Sequence, residues 1–139
     1  MIVVDTNVLV AACIAGHEHH SAASAWLRRL VGGDADWALP TPAFAEFTRV
    51  LTHPRVNNLD PTVAADALAR LLTLPRAQVL APGPRFAATY LGLVQGRLAV
   101  GNRAFDAQIA AMCMDGDHVL LTGDSGFRRF VALRTLPLL

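Results

Sequence analysis

Four of the eleven carboxylates in this 139-residue chain stand in strongly apolar segments. Asp5 follows Ile-Val-Val, Glu46 lies in Ala-Phe-Ala-Glu-Phe, Asp106 precedes Ala-Gln-Ile-Ala-Ala, and Asp124 follows Val-Leu-Leu-Thr-Gly. An ionised carboxylate at the margin of a core is costly, or titrates at a higher pH, unless a cation compensates it. One or two divalent cations would compensate all four acids, and an all-oxygen donor set favours Mg²⁺ or Mn²⁺ over zinc.

Each acid also has an ordinary interpretation. An aspartate after a strand commonly caps a helix or forms a turn. Glu46 could pair with Arg49, and Asp106 with Arg103, each at three-residue helical spacing. Taken alone, the residue pattern leaves a metal cluster and these local roles equally open.

The elements that must position the acids alternate between short strands and helices. Apolar runs predict strands at 2–5, 37–39, 78–80 and 118–122, with a further edge strand at 133–136. Helical periodicity predicts helices near 7–15, 22–31, 42–52, 61–74, 84–95 and 103–114. This alternation is typical of a three-layer α/β/α domain with a central, mostly parallel sheet of four to five short strands, here a single domain over residues 1–139.

Local signals mark where three of the helices begin. Ser21 and Thr41 are predicted N-caps, the latter before Pro42, and Asp60 before Pro61 repeats the pattern. Ligands of parallel sheets bind beyond the carboxyl ends of the strands. Asp5 and Asp124 follow the two clearest strands, so the four acids are expected to converge on one edge of the sheet.

Composition limits the partners and the chemistry. All twelve basic residues are arginine and the net charge is +1, so lysine-dependent phosphate sites are excluded and RNA contact would need a local arginine patch. The 53% hydrophobic content favours oligomerisation. Cys13 and Cys113 form no C-x-x-C motif and are expected to be buried thiols in a reducing compartment. Since no signal peptide or membrane span is evident, a cytoplasmic location without membrane association is expected.

Three histidines in one connector could suggest zinc. His17, His19 and His20 have no cysteine or second histidine pair at suitable spacing, so a polar loop near the substrate is the favoured interpretation. Trp26 and Trp37 are expected to be core residues.

The four acidic segments resemble the motifs of the PIN-domain nucleases, specifically the VapC toxins of bacterial toxin–antitoxin pairs. The four segments occur in the order of that family, and the resemblance covers nearly the whole chain. They are residues 3–9 (VVDTNVL), 41–47 (TPAFAEF), 106–111 (DAQIAA) and 121–127 (LTGDSGF). One departure is visible at Gly126, where many relatives carry a second acid. The fourth motif therefore depends on Asp124 alone.

The resemblance implies a Mg²⁺-dependent endoribonuclease, with Mn²⁺ as a substitute, that hydrolyses RNA phosphodiesters to a 5′-phosphate and a 3′-hydroxyl. It implies metal contact by Asp5, Asp106 and Asp124, with Glu46 a ligand through water or the general base. A homodimer inhibited by a VapB-type antitoxin is also implied. The supporting side chains expected beside the acids are Thr6, Asn7, Thr122 and Ser125, with local capping an equal alternative for both threonines; RNA contact is expected from Arg103, Arg128 and Arg129.

Three other classes were weighed against this interpretation. A receiver-type phosphorelay domain needs a lysine after its last core strand, and the chain has none. A haloacid-dehalogenase phosphatase needs an acid at the position of Asn7. A non-catalytic PIN scaffold that binds RNA or a protein partner is the remaining alternative.

Overall fold

A five-stranded sheet forms the centre of the computed structural model, which describes residues 1–139. The strands lie in the order β3-β2-β1-β4-β5 and every neighbouring pair is parallel. Their bounds are β1 Ile2–Val4, β2 Trp37–Pro40, β3 Ala77–Leu80, β4 Val119–Thr122 and β5 Arg134–Pro137. The predicted α/β class is confirmed, and the sheet is wholly parallel.

Helices cover both faces of the sheet. They are α1 Thr6–Cys13, α2 His20–Gly32, α3 Thr41–Thr52, α4 Pro61–Leu72, α5 Phe86–Gln95 and α6 Arg103–Asp115, and a short 3₁₀ helix spans Ser125–Arg129. Alternate strand residues point to opposite faces, so Val4 and Leu121 join the core under α1 to α4, whereas Val3 and Leu120 join the core under α5 and α6. The expected three layers follow from these two cores.

The strand order places a reversal at the centre of the sheet. From β1 the chain builds outward to β2 and β3, and it then returns to place β4 on the other side of β1. The crevice beyond the carboxyl ends of the two strands at such a reversal is where ligands of open parallel sheets bind. Here those strands are β1 and β4, which Asp5 and Asp124 follow.

Two of the three predicted helix starts need correction. Asp60 caps α4 as expected and accepts from the Thr62 amide at 2.8 Å. Thr41 is the first residue of α3 rather than its cap, because β2 runs directly into the helix through Pro40. Ser21 is not a cap either: α2 begins at His20, whose ring Nδ1 donates to the Ala11 carbonyl at 2.8 Å.

The thiols and tryptophans differ in their burial. Cys113 and Trp37 are buried, whereas Cys13 and Trp26 are only half-buried. The Trp26 indole N–H donates to the Leu138 carbonyl at 3.3 Å, so that ring ties α2 to the C-terminal segment. None of the helices combines the length and apolar character needed to cross a bilayer.

Candidate active site

Asp5 is the most deeply buried of the four acids, with 4% of its surface exposed. Its backbone N–H continues the β1–β4 ladder by donating to the Leu121 carbonyl at 3.0 Å. Its Oδ1 accepts from the Thr6 amide at 2.7 Å, which caps α1, and its Oδ2 accepts from the Thr122 hydroxyl at 2.6 Å. One oxygen is therefore fixed by the first residue of α1 and the other by the last residue of β4.

Two threonine hydroxyls connect Asp5 to the rest of the cluster. Thr6 Oγ1 donates to Glu46 Oε2 at 2.7 Å, which positions the side chain of α3. Thr122 Oγ1 also accepts from the Asp124 amide at 3.0 Å, which holds the start of the following loop. Thr6 and Thr122 thus lie where the sequence placed supporting residues, each in contact with a carboxylate.

Asn7 and Ser125 lie beside the cluster without bonding a carboxylate. The Asn7 amide oxygen accepts from the Gly123 amide at 3.3 Å, so Asn7 braces the loop that carries Asp124. Ser125 is exposed at the start of the 3₁₀ helix. The expected carboxylate-fixing bond from Asn7 is therefore replaced by a bond to the backbone.

Asp106 and Asp124 complete the group from the other side. Asp106 lies in the first turn of α6, and Asp124 caps the 3₁₀ helix by accepting from the Gly126 amide at 2.7 Å. All four acids line one cavity of about 260 Å³, called the inner cleft. Glu46, Asp106 and Asp124 also line an adjoining cavity of about 1090 Å³, called the outer cleft.

Burial, and to a lesser extent repulsion from neighbouring acids, raises the pKa of Asp5 and of Asp106. Burial raises the pKa of Asp5 from 3.8 to about 7, against the lowering effect of its bonds from Thr122 and Thr6, and the charges of Glu46 and Asp106 add to the rise. Burial likewise raises the pKa of Asp106 to about 6, assisted by repulsion from Asp124 and Glu46. The cluster therefore disfavours its own full ionisation at neutral pH.

None of the four acids forms an ion pair with a cation of the chain. The ion pairs that the chain forms are His19–Glu18, Arg85–Asp115 and Arg134–Asp117, and none involves the four acids. The pairs Glu46–Arg49 and Asp106–Arg103, left open by the sequence, are not formed, although the Arg103 charge slightly lowers the pKa of Asp106. Local neutralisation thus does not explain why these acids are together.

The four carboxylates have the right chemistry for a hard divalent cation, but their oxygens are not already gathered around one point. Carboxylate oxygens are the ligands that Mg²⁺ and Mn²⁺ prefer, and each oxygen of Asp5 keeps a lone pair beyond its one hydrogen bond. However, no three acidic, histidine or cysteine side chains are preassembled as a closed ligand cage. The protein supplies an acidic cleft rather than a finished coordination sphere.

The sequence of the chain is similar to proteins of one known family. The sequence matches the PIN domain family over residues 2–133. It is 37% identical to ribonuclease VapC43 of Mycobacterium tuberculosis over 96% of this chain and 92% of the relative. The identity to ribonuclease VapC33 of the same species is 34%, over 96% and 95% of the two chains. The chain belongs to the VapC family of PIN-domain proteins.

Solved structures give the same fold for this PIN domain at lower identity. VapBC2 of Rickettsia felis, described as bound to a DNA fragment from its promoter, superposes with a TM-score of 0.71 at 20% identity, over 99% of this chain and 98% of that one. VapC20 of Mycobacterium tuberculosis, described as a sarcin–ricin loop cleaving toxin, has a TM-score of 0.64 at 18% identity, over 96% and 99%. These likenesses concern the fold.

The arginines of this PIN domain are distributed differently from the sequence expectation. Arg103 lines the outer cleft, whereas Arg128 and Arg129 line neither cleft. Arg49 lines both clefts and His17 lines the inner one. The sequence offers Arg49 as an ion-pair partner for Glu46. Their three-residue spacing places both on one face of α3, and it could also have identified Arg49 as a cleft residue.

Gly126, where the sequence lacks a second acid, has little room for one. A Cβ at this position would lie 2.9 Å from Asp124 Oδ1 and 3.0 Å from Arg129 Nη2. Contacts this short would displace the Asp124 carboxylate or the Arg129 side chain. The absence of a second acid at Gly126 is therefore consistent with the limited space around this residue.

Proposed function

We propose that this protein is a divalent-metal-dependent endoribonuclease and the toxin of a VapBC-type pair. The observation that carries the proposal is the inner cleft, where four acids from distant parts of the chain meet beyond the carboxyl ends of β1 and β4 and none of them forms an ion pair. Relatives at 34% and 37% identity bear the name ribonuclease. Members of the family generally depend on a divalent metal, and we assign Mg²⁺, with Mn²⁺ as a substitute.

Asp5, Asp106 and Asp124 would hold the metal, which supplies charge neutralisation on the scissile phosphate and a water of lowered pKa. The Thr122 hydroxyl donates to one oxygen of Asp5 and fixes that carboxylate, which lines the inner cleft. Burial and mutual repulsion keep Asp5 and Asp106 poorly compensated, so bringing in a cation is favourable. The protein's contribution is thus a fixed, electron-rich cavity.

Glu46 is the acid that we assign as the general base. Its Oε2 accepts from Thr6 at 2.7 Å, which leaves Oε1 without a protein partner. In the proposed reaction a water oxygen attacks phosphorus and Glu46 accepts the proton lost by the water. The bond from phosphorus to the 3′-oxygen breaks, and the 3′-oxygen leaves with the bonding electron pair and takes a proton from solvent. The products are a 5′-phosphate and a 3′-hydroxyl; Glu46 acting as a ligand through water is the alternative role.

A VapB-type antitoxin and a second copy of the chain are the proposed protein partners. The solved neighbours include VapBC complexes from Rickettsia felis and nontypeable Haemophilus influenzae. An antitoxin segment that covers the acidic cleft would explain how a nuclease is held inactive. Co-purification with the product of the adjoining open reading frame tests the pairing.

The nuclease proposal is tested with single-stranded RNA and Mg²⁺ or Mn²⁺. Asp106→Asn should abolish cleavage because it removes one charge from the cluster, and EDTA should abolish the wild-type activity. Asp60→Asn, purified in parallel, should cleave at the wild-type rate because Asp60 only caps α4. Equal cleavage by wild type and Asp106→Asn would mean a contaminating nuclease, and no cleavage by either would favour the non-catalytic scaffold.

A further inference from the structure

Phe105 is the only aromatic side chain that lines the outer cleft. It lies in the first turn of α6, directly before Asp106, and 54% of it is exposed. Of the other five phenylalanines, Phe47, Phe127 and Phe130 are at most 2% exposed, and Phe44 and Phe86 are half-buried. A ring left in a cleft beside the proposed catalytic acids is therefore available to a ligand.

The remaining outer-cleft side chains favour a nucleic acid over an apolar protein segment. Arg49 and Arg103 are exposed, form no ion pair, and approach the cleft from α3 and α6. Asn102 and Gln108 add amide groups that can both donate and accept. Aromatic rings interleaved with arginines and amides are typical of surfaces that bind unpaired bases and the phosphates between them.

The outer cleft also has the space for a nucleotide. Its volume of about 1090 Å³ adjoins the inner cleft, and Glu46, Arg49, Asp106 and Asp124 line both. Small-molecule sites commonly measure about 300–1,000 Å³. A base could therefore occupy the outer cleft while the phosphate next to it lies at the four acids of the inner cleft.

We propose that Phe105 is a stacking platform for an unpaired nucleobase next to the scissile phosphate, with Arg49 and Arg103 contacting the flanking phosphates. This proposal rests on the proposed ribonuclease function. The stack requires the base beside the scissile phosphate to be unpaired, because a base stacked within a duplex has no free face for the ring. Phe105 acts in substrate binding and takes no part in bond breaking.

Cleavage kinetics on a short single-stranded RNA test the subsite. Phe105→Ala should raise KM by roughly 5- to 150-fold, the effect of losing one base–aromatic stack, and leave kcat close to wild type. Phe105→Trp should retain the wild-type KM, whereas Phe105→Leu, which keeps apolar bulk but loses the flat ring, should resemble Phe105→Ala. Val63→Ala, which shortens a 45% exposed side chain on α4 outside both clefts, is the matched control.

A spectroscopic measurement separates stacking from a general loss of structure. An RNA with 2-aminopurine beside the cleavage position should be quenched on binding to Glu46→Gln, and the quench should disappear in Glu46→Gln/Phe105→Ala. The same RNA annealed to its complement should show neither quench nor dependence on Phe105.

Three outcomes would overturn the subsite while leaving the nuclease in place: an unchanged KM in Phe105→Ala, a wild-type KM in Phe105→Leu, or a defect confined to antitoxin binding. Failure of wild-type protein to cleave RNA, with no effect of the acid variants, would instead reject the ribonuclease function itself.

Discussion

At the scale of single residues, the acid cluster is unstable by itself. Asp5 and Asp106 have raised pKa values because burial penalises their charged forms and neighbouring carboxylates repel them. No arginine forms an ion pair with them, and the hydroxyls of Thr6 and Thr122 compensate only in part. The fold thus keeps two acids whose charged forms are disfavoured, an arrangement that is common at functional sites.

The stability of the metal-free protein should fall as the cluster ionises. The pKa of Asp106 rises from 3.8 to about 6 on folding, so between these values the folded state binds a proton that the unfolded state has released. The free energy of unfolding contributed by this group therefore decreases as pH rises through this window and is level above it. Asp106→Asn should gain stability relative to wild type over the same range, as measured by urea unfolding in EDTA.

Asp60 offers a control of opposite sign. Its pKa is lowered by the hydroxyl and amide of Thr62, so its ionisation favours the folded state. Asp60→Asn should therefore lose stability relative to wild type as pH rises. A stability difference between Asp106→Asn and wild type that stays constant or shrinks with rising pH would contradict the proposed repulsion within the cluster.

At the scale of elements, Thr122 joins the ends of the two central strands. Its hydroxyl donates to Asp5 after β1 and accepts from the Asp124 amide after β4. Thr122→Val keeps the shape but removes both bonds, so we expect about 1–3 kcal/mol less stability from the unsatisfied buried groups. The Mg²⁺ concentration for half-maximal cleavage should rise roughly 10- to 100-fold, as for other groups that orient metal-binding carboxylates.

Thr122→Ser keeps the hydroxyl and should behave nearly as wild type in both chemical unfolding and metal titration. If Thr122→Val matched Thr122→Ser in both measurements, the hydroxyl would have no role in positioning Asp5.

The elements that sequence could predict are those with strong local signals. The apolar runs that became β1 and β4 were placed within one or two residues, and Asp60-Pro61 marked the start of α4. The start of α2 could not be read locally, because His20 is held by the Ala11 carbonyl of the preceding helix rather than by a cap within its own turn. Tertiary contacts decided that boundary.

The sequence was sufficient to pick out the four acids of the site, but not all of the basic residues that line the clefts. Asp5 and Asp124 share an edge because β1 and β4 are neighbours, a pairing that the strand patterns favoured and the crossovers determined. Arg49 lies one turn after Glu46 on α3, and His17 reaches the inner cleft from the connector that follows α1. Arg128 and Arg129, in contrast, are close to Asp124 in sequence but line neither cleft.

At the scale of the whole molecule, only two of the twelve arginines, Arg49 and Arg103, line the clefts. The net charge is only +1, so the protein has no general attraction to polyanions. Arg49 and Arg103 are placed where they can offset the acids for an incoming phosphate. RNA binding is therefore expected to depend on the outer cleft. Its affinity should fall only modestly with increasing salt concentration, because few phosphate contacts release counterions.

The outer face of α5 is the surface where the proposed second copy should bind. No charged residue lies between Phe86 and Gln95, and Ala87, Leu91 and Val94 recur at helical spacing on the exposed side. Leu91 is 56% exposed, so Leu91→Arg should leave the monomer folded but place an uncompensated charge in a two-fold contact. Light scattering should then give the mass of a single 14.8 kDa chain for Leu91→Arg and a dimer for wild type. Val63→Arg, on the exposed side of α4, should remain dimeric; a monomeric wild type, or dimers for all three proteins, would exclude α5 as the interface.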